Sequence, residues 1–302
     1  MADLESGLPE TVGFIGLGRM GEPMVRRLAA AGVTVRAFDA APRPGLADIV
    51  TLVDKASEVA AGASVVILML PDSTVVEAVV HGGDTGTGLL DALAPGTVLV
   101  DMGSSEPLRT RALAEQTAAR DVVLVDAPVS GGVTGAVGGT LTIMVGGPEA
   151  TTAALDPLLG VLGRVRHVGP VGAGHALKAL NNLMSATHLW VTSESMLVAE
   201  RFGLDVKKVL DVVNGSSGRS GSTQNKWPNF ILPETFDSGF SLKLMLKDMR
   251  IAAALAHELG MPFHLGDAAI ERWADAAQEL PDDADHTRIA EWLRSASEVP
   301  AR

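Results

Sequence analysis

The sequence predicts two domains, an α/β domain with a doubly wound sheet followed by an all-helical domain, joined by a long helix. Short valine-rich runs alternate with helical stretches over residues 1–172, the pattern of parallel strands with crossover helices. Strand patterns then stop, and helical patterns dominate residues 173–302. At the junction, helical spacing continues from about Gly172 to Phe202, and Gly203 is well placed to end that helix.

The individual elements follow from short-range patterns. Apolar runs that predict strands lie at residues 11–16, 33–39, 64–70, 97–102, 121–128 and 140–145. Helical spacing predicts a helix after the first strand and further helices at residues 106–119, 205–213, 241–259 and 267–280. The Ser-, Gly- and Asn-rich stretch 214–227 interrupts the helices, and it is either a loop over a binding site or a solvated linker.

Composition argues against several classes of protein. The chain of 302 residues has a net charge of −12 and no long basic stretch, which disfavours a nucleic-acid partner. Its longest strongly apolar run, residues 64–70, is far too short to span a membrane. The N-terminal "MADLESGLPE" lacks the basic and apolar regions of a signal peptide. We therefore expect a soluble cytoplasmic protein without a membrane partner.

The first strand leads into "GLGRMG", residues 16–21, a GxGxxG pattern that opens a helix. Glycines there permit a tight turn, close approach of the backbone to a pyrophosphate, and close packing of the helix on the strand. The free N–H groups of the helix N-terminus favour phosphate. Asp39 ends the next strand at the expected distance. These features predict a Rossmann-type dinucleotide site; the alternative is a plain tight turn with a solvated Asp39.

Asp39 also indicates which dinucleotide binds. A carboxylate at this position can accept hydrogen bonds from both ribose hydroxyls and would repel a 2′-phosphate, so NAD is favoured. Arg43 leaves NADP possible, because a basic residue just past the strand could pair with that phosphate.

Two further loops at strand ends should face the same crevice, since ligands of open parallel sheets bind at the carboxyl edge. One contains Leu70 and Pro71, and the other contains Ser104 and Ser105, placed to touch the nicotinamide side. The serines could also cap the helix that begins near Pro107, and the two roles are compatible.

Two absences restrict the chemistry. The chain has no cysteine and no tyrosine, so it has no disulfide, no thiolate nucleophile and no Cys-ligated metal. Dehydrogenases that depend on a Tyr/Lys pair or on cysteine are excluded for the same reason. The seven histidines are scattered without an HExxH pattern, so we expect no metal site.

The stretch "DAPVSGGVTGAVGGTLTIMVGG" begins at Asp126, where a strand ends. Its Ser130, Gly131 and Gly132, here called the SGG segment, offer a hydroxyl and successive uncovered backbone N–H groups. Such groups make a concave anion site that suits a small carboxylate. The alternative is a flexible glycine loop, although the segment is bounded by valines rather than by polar residues.

Lys178 is a lone charge in the apolar "GHALKALNN". At helical spacing it aligns with Asn182, Ser185 and Leu189, a stripe of small and mostly uncharged side chains. A solvated stripe would normally collect Glu, Lys and Arg. The pattern alone leaves two interpretations, a snorkelling lysine whose ammonium reaches water and a lysine that does chemistry.

A second lysine, Lys247, is the only charge on an apolar stripe of the predicted helix 241–259. It is either a buried site residue or a surface lysine paired with Asp248 or Glu258.

Four stretches, "GFIGLGRMGEPM", "DAPVSGGVTGAVGGTLTIMVGG", "GPVGAGHALKALNN" and "KLMLKDM", resemble the motifs of the β-hydroxyacid dehydrogenases in order and spacing. The resemblance covers nearly the whole chain. It implies a hydroxy-acid oxidoreductase with Lys178 as catalytic lysine and Asn182 as its neighbour. It also implies that the SGG segment binds the substrate carboxylate and that Lys247 is a second active-site lysine. One departure is Gly103, where a serine is commoner, and it affects the nicotinamide contact.

The resemblance and the residues together predict general acid–base catalysis. Oxidation of an alcohol requires removal of the hydroxyl proton as the hydride leaves. Burial disfavours the charged form of a lysine, so Lys178 could take the proton as a neutral amine and return it in the reverse reaction. Asn182, one turn later, could hold the amine or the hydroxyl.

The predicted function is hydride transfer between NAD and a small β-hydroxy acid to give a semialdehyde, in a homodimer or homotetramer with the active site between the domains. The alternatives are a reductase of tartronate semialdehyde or a related short oxo acid that uses NADPH, an imine reductase, and a non-catalytic nucleotide-binding regulator. The predicted cofactor-binding residues are Gly16, Leu17, Gly18, Arg19, Met20, Gly21, Asp39, Leu70, Pro71, Val75, Ser104, Lys247 and Asp248.

Overall fold

The computed structural model describes residues 7–83 and 88–296, and the chain packs as two compact units, Met1–Lys178 and Ala179–Arg302. The first six residues of the stretch in which we expect no signal peptide lie outside the described part. The division between the units falls inside the long helix. The boundary predicted at residue 172 stays a prediction, because a helix shared by two units can be assigned to either.

Within the described part of the first unit, nine strands form one sheet. They are β1 (Thr11–Ile15), β2 (Thr34–Phe38), β3 (Thr51–Leu52), β4 (Val65–Leu68), β5 (Val98–Asp101), β6 (Val123–Asp126), β7 (Val129–Ser130), β8 (Leu141–Gly146) and β9 (Gly163–Gly169). The order is β3-β2-β1-β4-β5-β6-β8-β7, and β9 pairs with β8. Strands β1 to β6 pair in parallel, as the alternating pattern predicts, whereas β8 pairs antiparallel with β6 and β7.

Helices cover both faces of this sheet. They are α1 (Gly21–Ala30), α2 (Ser73–His81), α3 (Leu89–Ala92), α4 (Pro107–Ala118), α5 (Gly132–Gly138) and α6 (Glu149–Gly160). Successive residues of β1 enter different cores, Phe14 on one face and Ile15 on the other. The central strands therefore read as continuous apolar runs, because both of their faces are covered.

Three strands lie outside the predicted apolar runs: the two-residue strands β3 and β7, and the longer β9. Strand β9 carries Arg164 and Arg166 among its exposed residues. Charged residues are typical of an edge strand, and they hide the apolar pattern on which strand prediction depends.

The second unit is helical. Helix α7 (Ala173–Phe202) enters it from the first unit, and α8 (Val206–Asn214), a π-helix (Ser222–Ile231), α9 (Leu242–Glu258), α10 (His264–Glu279) and α11 (Ile289–Ala296) follow. Gly203 ends α7 with a φ of +92°, as predicted. The core of this unit includes Trp227 and Trp273, both almost fully buried. No helix among the described residues is long and apolar enough to cross a membrane.

The prediction of a loop or linker at residues 214–227 is wrong for its second half, which belongs to the π-helix. The segment closes i→i+5 hydrogen bonds and buries Thr223, Trp227 and Ile231, but its first residues have the Ser, Thr, Gln and Asn content of a loop. Pro228 inside the segment also looks like a helix breaker in the sequence.

Candidate active site

In the turn after β1, close contacts require two of the three glycines, and the third faces open space. Gly16 has a φ of +99°, and a Cβ there would overlap the carbonyl oxygen of Met69. A Cβ on Gly21 would overlap the carbonyl oxygen of Gly16, so α1 could not pack as closely on the strand. At Gly18 nothing lies within 4 Å of a Cβ position. The turn thus leaves open space at the start of α1, which fits the pyrophosphate of a dinucleotide.

Asp39 ties this turn to the end of β2. Its Oδ2 accepts a hydrogen bond from the N–H of Leu17 at 2.6 Å, and its Oδ1 accepts one from Ala41 at 2.7 Å. The Nη2 of Arg43 lies 3.6 Å from Oδ1. The cation that could have paired with a 2′-phosphate is therefore partly neutralised by Asp39.

The predicted loops begin at the carboxyl ends of neighbouring strands. Leu70 and Val75 are half-buried beyond β4, and Pro71 is exposed. Ser104, beyond β5, is half-buried. Because β1, β4 and β5 are adjacent and parallel, these residues lie at one edge of the sheet together with the glycine turn.

Two details of the β5 loop differ from the sequence-based expectation. The prediction that serines cap the next helix is wrong, since Glu106 is the N-cap of α4 and no side chain caps it. Ser105 is buried and donates instead to the Oδ2 of Asp101 at 2.6 Å. Gly103 is required in this chain, because a Cβ there would overlap the carbonyl oxygen of Leu70.

The SGG segment is not a flexible glycine loop. Ser130 ends β7 opposite Thr142 of β8, and Gly132 begins α5. Gly131 connects them with a φ of +132°, a conformation that side chains strongly disfavour. The first N–H groups of a helix have no acceptor within it, and Gly131 is exposed. The segment is thus an ordered turn whose backbone donors suit an anion.

A buried polar cluster that sequence reasoning missed holds the first turn of α7. The two oxygens of Asp126 accept hydrogen bonds from the N–H groups of Gly172 at 2.6 Å and His175 at 2.8 Å. The ring of His175 lies between Thr110, at 2.9 Å from Nδ1, and Asp101, at 3.7 Å from Nε2. Burial raises the pKa of Asp126, and the nearby His175 partly opposes this shift. The only signal in the sequence is that β5 and β6 both end in "VLVD".

Lys178 lies one turn after His175 and is buried, with 8% of its surface exposed. A snorkelling lysine keeps its ammonium in water, so burial favours the other interpretation. Asn182, on the next turn and already in the second unit, is 5% exposed. Its Nδ2 donates to the Oδ2 of Asp248 at 2.6 Å. The amide is therefore held in one orientation.

Lys247 does pair with Asp248, at 3.1 Å between Nζ and Oδ1. The interpretation of Lys247 as a surface lysine included this ion pair. Asp248, however, is 1% exposed and also accepts a hydrogen bond from Asn182, so the carboxylate of the pair does not lie at the surface. The second unit thus links three predicted residues by contacts, since buried Asp248 contacts both buried Asn182 and half-buried Lys247.

Comparisons with known proteins identify the family. A family model described as the NAD binding domain of 6-phosphogluconate dehydrogenase matches residues 11–172, and one described as NAD-binding of NADP-dependent 3-hydroxyisobutyrate dehydrogenase matches residues 172–293. The 3-hydroxyisobutyrate dehydrogenase of Pseudomonas aeruginosa is 36% identical over 286 residues, 91% of this chain and 94% of that protein. The chain belongs to the β-hydroxyacid dehydrogenase family.

Other members resemble this β-hydroxyacid dehydrogenase over a similar span. The 2-(hydroxymethyl)glutarate dehydrogenase of Eubacterium barkeri is 39% identical over 256 residues, 83% of this chain and 84% of that protein. The structure of Mycobacterium tuberculosis 3-hydroxyisobutyrate dehydrogenase with L-serine matches with a TM-score of 0.89 at 33% identity, covering 95% of this chain and 100% of that one. The protein is an NAD(P)-dependent hydroxyacid dehydrogenase that acts on a CH–OH group, and the non-catalytic alternative is excluded.

Proposed function

We propose that the protein oxidises a small β-hydroxy acid, of the 3-hydroxyisobutyrate type, to the corresponding semialdehyde with NAD. The observation that carries the proposal is a buried lysine, Lys178, one helical turn before an asparagine that Asp248 holds in place. A residue that exchanges a proton with an alcohol has to lie within hydrogen-bond reach of a positioned hydroxyl, and the burial of Lys178 beside a fixed amide supports this role.

The cofactor would be held mainly by the first unit. The pyrophosphate would lie at the open space beside Gly18, against the N-terminus of α1, and Asp39 would accept hydrogen bonds from the adenosine ribose. Leu70, Pro71, Val75 and Ser104 would line the same edge, and Lys247 and Asp248 complete the predicted cofactor set. When bound, the nicotinamide accepts the hydride from the alcohol carbon, and it supplies the hydride in the reverse direction.

The substrate would be held by its carboxylate on the SGG segment, through the Ser130 hydroxyl and the backbone N–H groups of the turn. Lys247 would support the negative charge of the bound acid. The hydroxyl would lie at the Nζ of Lys178, which takes its proton during oxidation and returns it during reduction. Asn182 would orient this hydroxyl, because its amide is fixed by Asp248.

The second candidate function requires the same fold but has the opposite preferred direction of reaction. It is the reduction of tartronate semialdehyde or a related short oxo acid with NADPH, and the observation that favours it is Arg43 beside the ribose-binding carboxylate. A panel of hydroxy acids and their semialdehydes, assayed with each cofactor by nicotinamide absorbance, separates the two. We expect the highest kcat/KM for a β-hydroxy acid with NAD; preference for an oxo acid with NADPH would favour the runner-up.

We propose further that the protein is a homodimer or homotetramer that associates through α7. Large apolar side chains recur every seven residues along one stripe of this helix, and they are at least half-exposed: Met184, Val191 and Val198. Such a stripe is typical of a protein interface. Sedimentation should find an oligomer for the parent and a smaller species for Val191→Asp; a monomeric parent would contradict this.

We also propose a cytoplasmic location, since the reaction depends on the intracellular dinucleotide pool.

A further inference from the structure

Two aspartates lie side by side at the carboxyl edge of the sheet in the first unit. Strands β5 and β6 pair in parallel, and their register places Asp101 opposite Asp126. Both residues are almost fully buried. They end identical runs, "VLVD", but their side chains hold different segments of the chain. Each aspartate is therefore a matched control for the other.

Asp101 holds the loop that follows its own strand. Its Oδ1 accepts a hydrogen bond from the N–H of Gly103 at 2.9 Å, and its Oδ2 accepts one from the hydroxyl of Ser105 at 2.6 Å. Ser104, which we predict to contact the cofactor, lies between these two residues in the chain. Asp101 thus supports the candidate cofactor loop.

Asp126 holds the helix that carries Lys178. Gly172 accepts a hydrogen bond from the N–H of Ala176, as an N-cap residue does, but it has no side chain with which to cap α7. The oxygens of Asp126 accept instead, from the N–H groups of Gly172 at 2.6 Å and His175 at 2.8 Å. A helix leaves such N–H groups without an acceptor. Lys178 follows three residues after His175, so the turn that Asp126 fixes directly precedes it.

Two glycines bring this turn into close contact with the sheet. A Cβ on Gly174, in the first turn of α7, would overlap the carbonyl oxygen of Met144 in β8. A Cβ on Gly146, at the end of β8, would lie 2.5 Å from the Oδ1 of Asp126. The start of the helix is therefore fixed by packing as well as by the two hydrogen bonds.

We propose that Asp126 is a positioning residue for the reaction, because it sets the place of Lys178 through the first turn of α7. This inference rests on the function proposed above, in which Lys178 exchanges the substrate proton. A displacement of about 1 Å, caused by a change away from the reacting atoms, can cost about 10² in rate. Asp126 also lies four residues before Ser130 of the SGG segment. The end of β6 thus connects the proposed proton-exchanging lysine to the candidate carboxylate site.

The test compares Asp126→Asn with Asp101→Asn. Asparagine keeps the size of the side chain but has one acceptor oxygen instead of two, so one donor in each variant loses its partner. At saturating β-hydroxy acid and NAD, Asp126→Asn should lower kcat about 10- to 100-fold and leave the Kd for NADH within about threefold of the parental value. Asp101→Asn should instead weaken NADH binding about tenfold and change kcat less.

An isotope effect shows which step is slowed. With deuterium on the carbon that bears the hydroxyl, Asp126→Asn should have an isotope effect on kcat at least as large as that of the parent. A smaller effect would mean that a step other than the chemistry is slowed, and it would overturn the proposal. Asp156→Asn, which changes an exposed aspartate of α6, should match the parent in every measurement.

Other outcomes separate positioning from folding. Equal losses of kcat and NADH affinity in Asp126→Asn, together with a lower Tm, would mean a structural role and would overturn the proposal. If this variant does not fold, Thr110→Val decides the question. The hydroxyl of Thr110 lies 2.9 Å from the Nδ1 of His175, so its removal should loosen the same turn and lower kcat about three- to tenfold. A parental kcat in that variant would overturn the proposal.

Lys178→Arg, measured in the same assay, distinguishes this inference from the proposed function. If Lys178→Arg loses kcat while Asp126→Asn stays within about threefold of the parent, the positioning role is refuted and the proposed function stands. If Lys178→Arg has a parental kcat, the proposed function fails, and the positioning role fails with it.

Discussion

The two units differ in which part of the chain forms their candidate sites. In the first unit, the candidate cofactor site is formed largely by backbone, since the glycine turn after β1 provides space and N–H groups. In the second unit, the candidate site consists of side chains, since Asp248 contacts both Asn182 and Lys247. The pyrophosphate is the same in every dinucleotide, so space and N–H donors suffice to bind it. Orienting a substrate hydroxyl and compensating a substrate charge need particular groups at particular places, and side chains provide them.

The largest effect should come from the side chain at the proposed proton-transfer position. Lys178→Ala should lower kcat by about 10²–10⁴, the usual range for loss of a general acid/base. The fold should survive, because alanine favours helix and the change removes a buried polar group. Titration of NADH by fluorescence should give nearly the parental Kd. A variant that loses cofactor binding to the same extent as turnover would mean that Lys178 supports the cofactor site and does not exchange the proton.

Acidification should destabilise the second unit through His286. Burial, together with the charge of Lys226, lowers the pKa of His286 from 6.5 to about 4. Between these values the unfolded chain binds a proton that the folded unit does not bind. The free energy of unfolding should therefore fall as the pH drops from 6.5 towards about 4, by about 2–3 kcal/mol in total. The contribution of Asp126, in the first unit, to the pH dependence of stability has the opposite sign. Burial raises its pKa, so protonation favours the folded state.

Tryptophan fluorescence can follow the second unit alone, because all four tryptophans, at positions 190, 227, 273 and 292, belong to it. Urea unfolding monitored in this way should show the loss of stability at low pH for the parent and a smaller loss for His286→Gln. An identical pH dependence of the two proteins would show that His286 is not responsible.

Alanine substitutions at two glycines of the same turn should differ in their effects on cofactor binding and on Tm. Gly18→Ala places a methyl group where nothing else lies within 4 Å, so it should weaken NADH binding about tenfold or more without lowering Tm. Gly21→Ala should lower both, because its Cβ overlaps the carbonyl oxygen of Gly16. Binding and Tm measured together test this contrast; a Gly18→Ala variant with parental affinity would show that the pyrophosphate lies elsewhere.

Sequence reasoning succeeded where the signal was local. The parallel strands follow from short apolar runs, and the glycine turn follows from six consecutive residues. The His175 cluster could not be predicted in this way, because the Asp126 that holds it is 49 residues away in the chain. Lys226, which donates to Ser185, lies 41 residues after it, in a π-helix whose polar composition and internal proline are typical of a linker. Contacts between distant segments, together with unusual helical geometry, account for what the sequence left open.

The smallest effect concerns cofactor choice. Asp39→Ala should narrow the preference for NAD over NADP by about tenfold or less, since it removes the repulsion of the 2′-phosphate and frees Arg43 to pair with it. The comparison needs kcat/KM for both cofactors in parent and variant. A parent with higher kcat/KM for NADP would mean that Arg43 decides the choice.

The central claim is that Lys178 exchanges the substrate proton, and Lys178→Arg tests it most directly. Arginine keeps the positive charge and most of the stem, but it does not release a proton near neutral pH. With a saturating β-hydroxy acid and NAD, the arginine variant should lose at least about 10² in kcat while its NADH affinity and Tm stay near those of the parent. An arginine variant with near-parental kcat would contradict the claim, because a residue that only supplies charge and packing tolerates this exchange.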